Sequence, residues 1–236
     1  PQLRAADLPA EPRSLPTTVE RLAGKGCLLV NDLFTNGIVY LRLRFDLTGL
    51  PAPLWSLLPR YTEALNKFGA AGQDFAAIAR RVSACTGGIQ AGLTFDTRVH
   101  DASCLLPSLT IGLKTLADQV GPALDLLGDL LFALDPRDRE RMRDVLTQAR
   151  MDNRNDMVQD GAGTVRVHAG RGLSASGHLA HCTDGLPQLA LTERWAADFE
   201  RGQAEVAAGI EAVRDFFLNR RRVTASLTDP IGKAHV

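Results

Sequence analysis

The sequence predicts an α+β fold, an antiparallel or mixed β-sheet covered by helices on one side. Three observations predict it. Along residues 39–47, Val39, Leu41, Leu43, Phe45 and Leu47 alternate with Tyr40, Arg42, Arg44 and Asp46, which gives a strand one apolar face and one wet face. Two later runs keep the same period: Ile89, Ala91, Leu93 and Phe95 alternate with Gln90, Gly92, Thr94 and Asp96, and Leu105, Leu109, Ile111 and Leu113 with Ser108, Thr110 and Gly112. Much of the remaining chain places apolar residues at three- and four-residue steps, the period of a helix with one buried face.

In chain order, prolines 1, 9, 12 and 16 make residues 1–18 an extended lead-in rather than a core element. A first strand is expected at residues 27–31, paired antiparallel through the Asn36-Gly37 turn with residues 38–47, because so short a connection suits a hairpin. From 51 to 68 the steps Leu54, Leu57, Leu58, Tyr61, Leu65 and Phe68 predict a helix stopping at Gly69. Asp74 is placed to cap a second helix through Phe75, Ile78 and Val82, ending before Gly87-Gly88. Pro107 lacks a ladder donor, so its strand begins late, bulges or lies on an edge.

Leu116, Val120, Leu124, Leu127, Leu131 and Leu134 form one stripe of a helix that Asp135-Pro136 closes before an Arg-rich helix begins. A long final helix is expected at 192–218 with Trp195, Phe199, Val206, Ile210, Val213 and Phe217 inward. A last strand at 222–228 follows, with Val223, Ala225 and Leu227 on one face.

Composition narrows the function. The chain has 236 residues, enough for one large domain or two small ones, and 27 basic against 27 acidic side chains. No net field draws it to nucleic acid or an anionic membrane, no apolar run reaches the roughly 20 residues that span a bilayer, and the N-terminus lacks a signal-peptide core. A start at Pro1 rather than Met points to a processed or excised chain. Cys27, Cys85, Cys104 and Cys182 lack paired short spacings and read as reduced packing residues.

Candidate chemistry is sparse. An inverted zinc-hydrolase site needs His-x-x-Glu-His, two imidazoles one helical turn apart with a carboxylate that activates water. None of His100, His168, His178, His181 or His235 stands in that pattern. His178, His181 and Cys182 are the nearest substitute, without a carboxylate inside the motif; helix-end or surface histidines are the simpler reading. Gly161-Ala162-Gly163 and Gly170-Arg171-Gly172 lack the Lys-Ser/Thr ending of a nucleotide loop and read as turns or helix packing. No Gly-x-Ser-x-Gly elbow occurs, and no cysteine has an activating motif. Arg137, Arg139, Arg141 and Arg143 are balanced by Asp138, Glu140 and Asp144 and read as a solvated helix start. Arg220-Arg221-Arg222 has no such balance. It reads as a solvated corner, or as a contact for an acidic neighbouring domain or a peptide carboxylate.

Several segments in order carry a resemblance: Asp32-Leu33-Phe34-Thr35-Asn36-Gly37-Ile38-Val39-Tyr40, Phe45-Asp46-Leu47, Glu63-Ala64-Leu65, Thr86-Gly87-Gly88-Ile89, and the closing helix and strand. Together they resemble the third domain of the M16 (insulinase/pitrilysin) zinc metallopeptidases, in subgroup C of that family, which contains the presequence proteases. The resemblance implies an end of the helical linker at 1–20 and a single non-catalytic α+β domain at 21–236. It also implies helix rather than loop to about Leu173 and, in the parent protein, four homologous domains enclosing short unfolded peptides.

Zinc is expected in the catalytic domain of that parent, with no catalytic, cofactor-binding or metal residue in this chain. The implied partners are the N-terminal catalytic half, the fourth domain and a peptide substrate, in a bacterial cytoplasm or an organelle matrix. The family's helper pair, an Arg followed six positions later by a Tyr, does not carry over, because Phe34 and Trp55 precede Tyr40 and Tyr61. Two other readings stay open: a free-standing structural, peptide-binding or oligomerisation module of the same fold, and a metal protein built on His178, His181 and Cys182.

Overall fold

The computed structural model describes residues 14–22 and 26–229, so most of the proline-rich lead-in and His235 lie outside the described residues. Within them the alternating segments form strands. β1 (Thr17–Arg21), β2 (Cys27–Asp32), β3 (Ile38–Asp46), β5 (Ile89–Arg98), β6 (Asp101–Leu116) and β8 (Val223–Asp229) make one mixed sheet in the order β1-β2-β8-β3-β6-β5. A small pair, β4 (Gly69–Ala70) with β7 (Leu134–Asp135), lies apart.

The expected hairpin between the second and third strands does not form. β8 runs between them, parallel to β2 and antiparallel to β3, with Leu43 facing Ala225 and Leu29 facing Ser226. Connection length did not separate the two arrangements: residues 33–37 reach up to about 17 Å when extended, and strands two places apart stand only about 9.6 Å from each other. The lead-in joins the sheet through β1, which is exposed throughout.

Pro107 sits inside β6, opposite Phe95, with no bulge there but at a local edge on its other side. Its carbonyl accepts from Leu47 N at 3.0 Å, just past the last β3 rung at Asp46 and Ser108. Both polar groups of a strand residue point to the same neighbour, so the missing N–H falls where β3 has already ended.

One face of the sheet is covered by helices: α1 (Leu58–Ala64), α2 (Phe75–Cys85), α3 (Val120–Phe132), α4 (Arg139–Gln159), α5 (Gly161–Gly170), α6 (Ala175–Asp184), α7 (Leu186–Ala197) and α8 (Phe199–Phe217). Phe45 meets Phe217 with ring centroids 4.7 Å apart, and Tyr61 meets Phe217 edge-on at 5.0 Å. These rings join Leu109, Ile111, Leu126, Leu130 and Trp195 in one continuous core.

Three helical expectations need correction. The run at 51–68 is split into a 3₁₀ turn, Ala52–Leu57, and α1, because Pro59 cannot donate back into the preceding turn. The stripe of α3 is rotated: Ala123, Leu126, Leu127, Leu130 and Leu131 are buried while Leu124 is 47% exposed, since Leu116 still belongs to β6. The long final helix is two helices broken at Asp198, whose side chain accepts from Arg201 N and caps α8. Asp74 caps α2 as expected, accepting from Ala77 N at 2.7 Å. The glycine-rich segment is helical, with Asp160 and Ser174 capping α5 and α6.

Candidate functional site

The alternation that turns Phe45 inward turns Tyr40, Arg42 and Arg44 onto the opposite face of the sheet. That face carries a shallow concavity of about 910 Å³, lined only by strand residues and the Gly87-Gly88 turn. Register builds it row by row. Asn31, Thr228, Tyr40 and Lys114 stand side by side on successive strands; the next row holds Ser226, Arg42, Gly112 and Gln90, and the next Thr224, Arg44, Thr110 and Gly92.

Hydrogen bonds fix both sides of this surface. Asn31 Nδ2 donates to Ser226 Oγ at 3.1 Å and Thr228 Oγ1 at 3.0 Å, and Asn31 Oδ1 accepts from Thr17 Oγ1 at 2.7 Å. Arg44 Nε donates to Ser108 Oγ at 3.0 Å, which anchors the side chain and leaves the guanidinium tip without a partner among the described residues. Lys114 lies across Gly87, where a Cβ would stand 2.6 Å from Lys114 Cε. Gly92 and Gly112 leave the floor without side chains.

Among the described residues, those lining the concavity include three cations, Arg42, Arg44 and Lys114, and no carboxylate. The alternation of β3 made Arg42 and Arg44 legible in the sequence. Lys114 was not, because its place beside Tyr40 depends on strand register.

His168, His178, His181 and Cys182 divide into two pairs. His178 Nε2 stands 3.7 Å from Cys182 Sγ, while the His181 ring turns to His168, 5.1 Å between centroids. Burial lowers the His181 pKa, with His168, Arg171 and His178 adding to the effect, and burial pushes the Cys182 thiol up, away from the thiolate a metal needs. Among the described residues no three His, Cys, Asp or Glu side chains come together in a group that could hold a metal ion. These residues do not fit a zinc site.

The two arginine clusters are more engaged than their composition implies. Arg137 pairs with Glu211 in a fork, both contacts 2.9 Å, and Arg139 pairs with Glu200. Arg141 stacks on Phe75 at 3.7 Å and Arg143 on Phe199 at 4.4 Å, so the helix start, solvated as expected, is also stitched to α2 and α8. Arg222 stacks on Phe216 at 4.2 Å and donates to the carbonyls of Thr48 and Asp46, which ties that corner to the end of β3; Arg220 and Arg221 are exposed. On the helical side, Arg60 is 5% exposed and stands 2.7 Å from Glu63 at the rim of a second concavity that Asp152, Asp156 and Asp184 also line. Burial lowers the Arg60 pKa and the charges of Glu63 and Asp152 oppose that, the pattern of a structural ion pair.

The chain belongs to the family described as peptidase M16-C associated, whose model matches residues 1–194. It is 25% identical over 229 residues to presequence protease 1, chloroplastic/mitochondrial, of Arabidopsis thaliana, covering 97% of this chain and 21% of that protein. It is 23% identical over 162 residues to the mitochondrial presequence protease of Danio rerio, covering 69% of this chain and 16% of that protein. The chain therefore spans about a fifth or less of the length of these curated relatives. The solved structure of a peptidase M16 inactive domain from Pseudomonas fluorescens superposes with a TM-score of 0.61 at 16% identity, covering 92% of this chain and 47% of that one, a likeness of fold. No helix among the described residues is long and apolar enough to cross a membrane.

Proposed function

We propose that this chain is a non-catalytic third domain of a longer zinc-dependent metalloendopeptidase of M16 subgroup C, and that its open sheet face is part of the wall of a chamber enclosing short unfolded peptides. The end of the parent's linker leads into this single domain, whose sheet already includes β1. The zinc and the residues that hydrolyse the peptide bond belong to the N-terminal half of the longer protein, which is a partner of this domain together with the fourth domain. This chain supplies no catalytic residue.

One observation carries the reading: a wide, shallow sheet face bearing three cations and backed by a helix-covered core in a domain of a peptidase-associated family. Such a face suits enclosure, where a wall limits substrate by volume, holds an extended chain and keeps bulk water from it.

The two tyrosines provide the test. Tyr40 is 44% exposed on the open face and Tyr61 is fully buried in the core. With tyrosine selectively labelled, titration with an unfolded neutral peptide shifts the Tyr40 ring resonances and leaves those of Tyr61 in place, and the peptide stays uncut with added zinc. An unmoved Tyr40, or zinc-dependent cleavage by this chain alone, overturns the reading.

A further inference from the structure

We propose that the open sheet face selects extended peptide segments rich in carboxylates, held by Arg42, Arg44 and Lys114. This rests on the chamber-wall reading and gives that wall a substrate class. Across the whole chain basic and acidic residues balance at 27 each, yet among the described residues the concavity gathers three cations and no carboxylate. Among the described residues none of the three holds an ion pair. All three are exposed, open to a partner from outside the domain.

Their spacing fits the occupant. Arg42 and Arg44 project from one strand two residues apart, about 6.8 Å, which is also the distance between same-side residues of an extended peptide. Carboxylates at alternate positions of a segment lying along β3 therefore meet successive guanidinium groups, whose fork geometry matches a carboxylate. Lys114, one strand over and opposite Tyr40, is placed for a third. Gly92 and Gly112 leave the adjoining floor bare, so a peptide backbone can lie close to the sheet. Nucleic acid also carries anions, but a chain with no net charge lacks the long-range field that such binding draws on.

The test follows the Tyr40 resonances with three unfolded peptides of equal length that differ only in carrying Glu, Gln or Lys at alternate positions. The Glu peptide binds roughly tenfold or more tightly than the Gln peptide, the scale of three exposed charge pairs, and the Lys peptide binds least. Raising salt from about 0.05 M to about 0.5 M removes most of that preference. The triple variant Arg42→Gln, Arg44→Gln, Lys114→Gln brings the Glu peptide to the level of the Gln peptide, and the single variant Lys114→Glu weakens the Glu peptide and strengthens the Lys peptide.

Equal binding of all three peptides, or an unchanged preference in the variants, overturns the inference and leaves the wall reading standing. Tighter binding of a single-stranded oligonucleotide than of the Glu peptide overturns it as well. No Tyr40 response to any peptide overturns the wall reading and this inference with it.

Discussion

Gly202, in the first turn of α8, passes so close to Trp195 at the end of α7 that a Cβ at position 202 would stand 2.6 Å from the Trp195 carbonyl oxygen and 2.7 Å from its Cα. Backbone cannot yield as a flexible side chain can, and Trp195 is itself 1% exposed. Gly202→Ala is therefore expected to lower stability by about 1–3 kcal/mol through overpacking. Gly128→Ala in α3, where nothing lies within 4 Å, is expected to raise it by about 0.5–1 kcal/mol through helix propensity. Urea denaturation midpoints of the two variants, compared with the parent chain, check both signs.

Tyr61 packs its ring on Phe217 but finds, among the described residues, no hydrogen-bond partner for its buried hydroxyl. Burial raises its pKa, and the nearby Arg214 charge only partly opposes this. Tyr61→Phe keeps the ring contact and removes the unsatisfied group, so it is expected to stabilise by about 1 kcal/mol. Thermal and urea unfolding of this variant measure it.

Glu63 neutralises Arg60, which the fold buries. Glu63→Gln leaves that guanidinium without its nearest counter-charge and is expected to cost about 1–3 kcal/mol, less than a fully buried pair because Glu63 is 28% exposed. Arg137→Gln removes a fork to Glu211 that solvent already screens, and its unfolding midpoint should not move measurably.

His181 gives stability a pH dependence whose sign follows from its lowered pKa. An imidazole harder to protonate in the folded state than in the unfolded one contributes stability fully above the unfolded value of about 6.5, and that contribution is lost as pH falls through the lower folded value. The melting temperature should therefore drop on acidification below about pH 6.5, and His181→Gln should flatten that part of the profile. The groups facing His181 are His168, Arg171 and His178, all of which oppose its protonation.

Period-two alternation made β3, β5 and β6 legible in the sequence, because one face of each meets the core and the other meets water. The strand order was not legible: β8 enters between β2 and β3 from the far end of the chain, and no local pattern encodes that partner. Asp198 stands in the sequence as a helix cap, but the apolar steps from Trp195 to Phe199 and Val206 run across it and conceal the break. The open face was half legible. Arg42 and Arg44 follow from alternation alone, whereas the basic character of the surface needs Lys114 beside Tyr40 and the bare Gly92 and Gly112 floor, all consequences of register.

The most direct test of the account asks which face meets peptide. A photo-crosslinking residue at Tyr40, on the open sheet face, is compared with one at Phe132, 70% exposed on the helical side, each irradiated with the same unfolded peptide. The account predicts peptide adducts from position 40 and few from position 132. Equal yields, or adducts from the helical side alone, would contradict it.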